Sequence, residues 1–145
     1  MAAGDITVYN EAVGYMFDAG WATTDSIEIN LVLATSTPTA ADVAPAPGSY
    51  NLATSTEGAQ VLNTWANCVT ESGGTMTFDD TYASVVWAQG GGNSTTVRWA
   101  VIYNQTTTSP HADAAICFVD LGSNRDLTAG SLTITWNASG IFTVS

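Results

Sequence analysis

The sequence predicts a mainly-β fold: a sandwich or barrel of about seven or eight antiparallel strands, with one amphipathic helix near the N-terminus. Three observations predict it. The closing residues 131–145 alternate strictly, with Leu132, Ile134 and Trp136 on one face of a period-2 segment and Thr133 and Thr135 on the other. From residue 59 onward, β-type segments recur at spacings of about ten to fifteen residues, with turn-rich stretches between them. Only residues 7–19 place apolar side chains at helical spacing. At 145 residues the chain is expected to form one domain, and a domain of this size buries roughly 70% of its unfolded surface.

Taken in order, the helix over 7–19 rests on Tyr9, Ala12, Val13, Met16 and Phe17, with Asp5 or Thr7 as its cap and Gly20 as the residue that ends it. Gly14 inside it costs about 1 kcal/mol relative to Ala, so packing must hold the helix in place. Residues 27–33 alternate cleanly and form the first strand. Residues 35–48 are rich in Thr, Pro and Ala and are expected to form a long exposed loop or arm, the first candidate for a partner contact because such loops usually carry function. The further strands expected are 59–69, 75–78, 83–87, 96–103, 115–121, 132–136 and 141–144. Turns fall at 72–74, 90–93, 104–111 and 122–124, of which 90–93 is expected to be a flexible hairpin. The chain is expected to end inside its own core, since Ile141, Phe142 and Val144 follow the turn formers 137–140.

Composition excludes several classes of function. Thirteen acids face only Arg98 and Arg125, for a formal charge of −11. Binding nucleic acid by displacing phosphate counterions needs Lys and Arg, so no nucleic-acid partner is expected, nor an anionic membrane surface. The acids are scattered, from Asp5 and Glu11 through Asp79, Asp80 and Asp126, which reads as solubilising surface charge. No secretory leader is expected at the N-terminus, and no run approaches the ~20 apolar residues of a membrane span. Cys68 and Cys117 sit in apolar segments and read as buried free thiols, with a cross-strand disulfide as the alternative. The sequons at Asn93, Asn104 and Asn137 read as turn chemistry.

Catalysis has little to draw on. His111 is the only histidine and reads as a solvated loop residue rather than a general base, and no nucleophile elbow is present. Asp79 and Asp80 could supply half of a glycosidase pair or of a calcium site, but carboxylates adjacent in sequence diverge. Two distant cysteines and one histidine match no zinc spacing, and residues 90–93 lack the lysine of a phosphate loop. No catalytic, cofactor-binding or metal-ligating residue is therefore assigned, and no cofactor is expected. Trp21, Trp65, Trp87, Trp99 and Trp136 could build a sugar-binding platform, although aromatic residues within β runs are ordinarily core.

Several segments in order carry a resemblance. They are Val8-Tyr9-Asn10-Glu11-Ala12, then Ile29-Asn30-Leu31-Val32-Leu33, Ala100-Val101-Ile102-Tyr103, a Thr- and Ser-rich loop ending in Ser109-Pro110, and Phe118-Val119-Asp120-Leu121-Gly122. The last and most specific runs from Leu132 through Trp136 to Phe142. This order and spacing resemble a family of small structural proteins of tailed bacteriophages, over the first 34 residues and residues 75–145 but not over roughly 35–70. The resemblance implies a non-enzymatic virion component, a capsid cement or decoration protein on the capsid exterior, assembled in the bacterial host cytoplasm. Its implied partners are the major capsid protein and copies of itself, with a trimer suggested by the threefold positions of capsid lattices. A tail or head-fibre module that binds host-surface glycans is the alternative.

The charge agrees with an exterior location. Packing many copies of a −11 chain against encapsidated DNA is electrostatically costly, and weak contacts repeated over a lattice sum to strong attachment.

Overall fold

The computed structural model describes residues 4–17, 21–80, 84–109 and 111–144. In chain order the elements are β1 (Ile6–Val8), α1 (Asn10–Phe17), β2 (Ser26–Leu33), β3 (Gln60–Thr64), α2 (Trp65–Cys68), β4 (Val69–Ser72), β5 (Thr75–Phe78), β6 (Ser84–Trp87), β7 (Val97–Asn104), β8 (Ala115–Arg125), β9 (Leu132–Thr135) and β10 (Phe142–Val144). The fold is mainly β, as the alternation predicts, and every strand pairing is antiparallel. A five-stranded sheet in the order β1-β8-β7-β2-β3 faces a three-stranded sheet, β10-β5-β4, and a two-stranded one, β6-β9.

The main core lies between these layers. Ile27, Ile29, Leu31, Ile102 and Val119 from the large sheet meet Phe78, Trp87, Leu132 and Ile134 from the small ones, with Ile141 just before β10. The other face of the large sheet is covered as well. Tyr9, Ala12 and Met16 pack there with Val32, Trp99, Val101, Tyr103 and Phe118, joined by Tyr50 from the long loop. Burial on both faces explains why β7 and β8 are apolar almost without interruption rather than alternating.

Several boundaries differ from expectation, each for a tertiary reason. Residues 7 and 8, expected in the helix, form β1 with Ile6, because Ile6, Thr7 and Val8 pair with Val119, Phe118 and Cys117 of β8. The helix therefore begins at Asn10, and neither Asp5 nor Thr7 occupies its cap; the expected terminator Gly20 lies outside the described residues. The single strand expected over 59–69 is broken by α2. The amides of Trp65 and Ala66 donate to the carbonyls of Asp25 and Thr23, at 2.7 and 3.1 Å, which takes the chain off the large sheet and round a corner onto the small one. The turn expected at 122–124 is instead the end of β8, where Gly122 takes a left-handed φ of 79° and Arg125 pairs with Val97. Among the described residues ten strands result rather than seven or eight.

Residues 90–93 are not a flexible hairpin, because β6 and β7 belong to different sheets. The side chain of Asn93 is buried: its Oδ1 accepts the Thr56 amide at 3.0 Å and its Nδ2 donates to the Ala88 carbonyl at 3.0 Å. That anchored loop brings the 54–56 segment against the start of β7.

Candidate functional site

The segment 35–48, first candidate from sequence, continues through Ser49 and Tyr50 as a loop laid along the body and fastened at several points rather than a projecting arm. Pro38, Pro45 and Pro47 are buried, although the composition suggested nothing that builds a core. The Asn10 amide donates to the Ala40 carbonyl at 2.8 Å, and the Ala115 amide to the Pro45 carbonyl at 2.8 Å, so the loop bonds both α1 and β8. Proline suits these positions because it has no amide to leave unsatisfied when buried.

Two carboxylates lock the loop's shape. Glu11 Oε2, on α1, accepts the Ala44 amide at 2.8 Å and also the Tyr15 hydroxyl. These hydrogen bonds, Tyr15's first, hold the Glu11 carboxyl below the usual carboxylate range. Asp42 Oδ2 accepts the Tyr50 hydroxyl at 2.7 Å and the Thr39 amide at 3.0 Å. Burial alone would raise the Asp42 pKa; the hydrogen bonds from Thr39 and Tyr50 outweigh it and lower it instead. Ala44 is held at φ 46°, a left-handed conformation that a non-glycine residue keeps only where its surroundings enforce it.

The result is a preformed surface. Val43, at the tip, is 82% exposed, the most open of the large apolar side chains among the described residues. Beside it an open hollow of about 410 Å³ is lined by Ser36, Thr37, Asp42, Pro45, Ser49 and Tyr50. This arrangement offers an apolar knob, a carboxylate and hydroxyls in fixed positions, which suits a contact and contains no paired nucleophile and base.

The other candidates fall elsewhere. His111 is half-buried rather than solvated, its ring set edge-on to Tyr15 at 5.2 Å, so it belongs to the cluster that Glu11 organises. Asp79 and Asp80 follow β5 in the opposite layer, so the structure does not bring them together with His111. Asp80 is 7% exposed and accepts the Trp136 indole N–H at 3.1 Å, which gives it a structural task; Thr81 and Tyr82 lie outside the described residues. Among the described residues, no three His, Cys, Asp or Glu side chains gather as metal ligands do.

None of the five tryptophans is exposed. Trp87 and Trp99 are buried, and Trp21, Trp65 and Trp136 are half-buried against the main core, with Trp21 and Trp65 edge-to-face at 4.8 Å. Cys68 and Cys117 are both free and buried. Burial, with the neighbouring Asp80 and Asp79 charges, pushes the Cys68 thiol up to about 12, and burial likewise raises Cys117.

Two polar clusters escaped the sequence reading. Asp25 Oδ2 accepts Asn104 Nδ2 at 2.9 Å and the Ala22 amide at 3.0 Å, while Asn104 Oδ1 accepts the Thr106 and Thr107 amides, tying the start of β2 to the end of β7. Arg98 is spent internally: its guanidinium lies 4.9 Å from the Trp99 ring centroid and reaches the buried Asp120 at 2.7 Å. Arg125 donates to the Leu121 carbonyl at 2.9 Å. The Asx-turn signal at Asn104 was readable in its sequon; the Arg98 pairing, between residues 22 apart, had no local signal.

No protein-family model matches the chain, and it matches no curated protein and no solved structure.

Proposed function

We propose that this chain is a non-enzymatic structural protein of a tailed-bacteriophage virion, a cement or decoration protein that binds the outer capsid surface through the major capsid protein and associates with copies of itself. The observation that carries this reading is the fastened 35–50 loop, which holds Val43 and the adjoining hollow in one shape. A contact element ordered before binding loses little conformational entropy on docking, so each of many small contacts can be productive. The formal charge of −11 favours a cationic partner surface and disfavours the DNA-filled interior.

Heating particles that carry the protein beside particles stripped of it tests the reading. Cement predicts that the stripped particles release DNA at a lower temperature and that adding back the protein restores resistance, whereas adding back Val43→Asp protein does not. Equal resistance with and without the protein, or its absence from the particle surface in electron microscopy, overturns the proposal.

A further inference from the structure

We infer that copies of this chain join head to tail, with β4 of one copy entering a groove between β1 and β9 of the next and Glu71 meeting Arg125. The inference rests on the self-association part of the reading above. Among the described residues, β1 pairs with β8 on one side only and β9 pairs only with β6, so each has an open edge. Between them lies an apolar slot of about 190 Å³, lined by Ile6, Val119, Ile134, Trp136 and Ile141. It continues along β9 into a space of about 260 Å³ where Arg125 stands. The floor is core side chains, Val119 at 4% and Ile134 at 8% exposed, so the groove is a gap in the layer and not a dent in a loop.

Charge selects the occupant. Each copy carries −11, so most approaches of one copy to another set like charges together. Asp120 lines the same space but is already paired with Arg98, which leaves Arg125, among the described residues, as the guanidinium in no ion pair. The complementary feature is equally singular. The strands at sheet edges are β1, β3, β4, β6, β9 and β10, and of these only β4 carries a carboxylate, the exposed Glu71. Both β4 and β9 are four residues long, roughly 13 Å of strand, so one fits along the other. Strand addition to an open edge gives affinity through the backbone, and the Glu71–Arg125 pair would set register and direction. Because groove and strand are different surfaces, the contact is heterologous and closes into a ring when the rotation allows.

Sedimentation equilibrium of the intact protein over a range of concentrations provides the test, with circular dichroism to verify folding. Wild type should exceed the 15.0 kDa of one chain, and Arg125→Glu and Glu71→Arg should each weaken association by about tenfold or more. The double variant Arg125→Glu/Glu71→Arg should recover it. Glu71 is exposed, so its substitution leaves the core intact. A wild type that stays monomeric, single variants that associate normally, or a double variant that fails to recover each overturns the inference. A monomer that still protects particles from heat overturns only this inference and leaves the cement reading standing.

Discussion

The carboxylate of Glu11 accepts the amide of Ala44 across 33 residues, at 2.8 Å, and with the Asn10 amide bond to the Ala40 carbonyl it fastens the long loop to the helix. Glu11 and Asp42, the two carboxylates that shape the loop, both sit below their ordinary pKa. A depressed carboxylate contributes stability that is present above its unfolded value, ~4, and is lost as the pH falls through its lower folded value. The loop should therefore loosen below about pH 4. The protection of the Ala44 and Thr39 amides, relative to intrinsic exchange at the same pH, should fall there, and unchanged protection between pH 6 and pH 3 would refute the assignment.

Ala44 itself is in a left-handed conformation that costs an L-residue about 1 kcal/mol. Ala44→Gly should leave thermal stability unchanged or raise it by up to about 1 kcal/mol. A clear fall in melting temperature would mean that the methyl group makes a contact worth more than the strain.

Glycine positions separate in sign. Gly14 lies in α1 with open space where a Cβ would stand, so Gly14→Ala should stabilise by about 1 kcal/mol. Gly140 has φ 98°, and a Cβ there would come within 2.7 Å of Thr77 Cγ2, so Gly140→Ala should destabilise by about 1–3 kcal/mol. Chemical denaturation of the two variants checks both, and equal effects would contradict the packing of the closing turn on β5.

Asp120 is almost fully buried; it is ion-paired with Arg98 at 2.7 Å, accepts one hydrogen bond from Arg98 Nη2 at 3.1 Å and one from the Gly122 amide at 2.6 Å. Removing it strands a partly buried cation and an amide. Asp120→Ala should cost about 2–4 kcal/mol, the lower end applying because Arg98 retains some solvent. A loss under 1 kcal/mol would show that water replaces the carboxylate.

The tryptophans and thiols report on burial. Tryptophan emission should be blue-shifted and poorly quenched by acrylamide, a neutral quencher preferable to iodide because a −11 protein repels anions. Strong quenching of the native protein would revive a sugar-binding platform. Neither thiol should react with a disulfide reagent at pH 8 until denaturant is added, since burial pushes the Cys68 thiol up to about 12 and Cys117 is deeper still.

The sequence by itself determined the class of fold and most strand positions, because side chains that alternate every second residue can satisfy only a half-buried strand. Leu132, Ile134, Val85 and Trp87 lie inward as that pattern requires. It also determined the acidic surface, which needs no geometry to count. Tertiary structure alone decided the rest. Whether Ile6 to Val8 joins a helix or a sheet depends on β8, more than a hundred residues away, offering an edge. Whether Trp65 continues a strand depends on the Asp25 carbonyl being placed to capture its amide. The loop at 35–50 is the sharpest case. Its composition is that of a solvated linker, and it is fastened to the body by distant partners, Glu11, Asn10 and Ala115, which the fold brings to its backbone. Local pattern reports the energy a segment can gain by itself; bonds between segments far apart in sequence have no local signature.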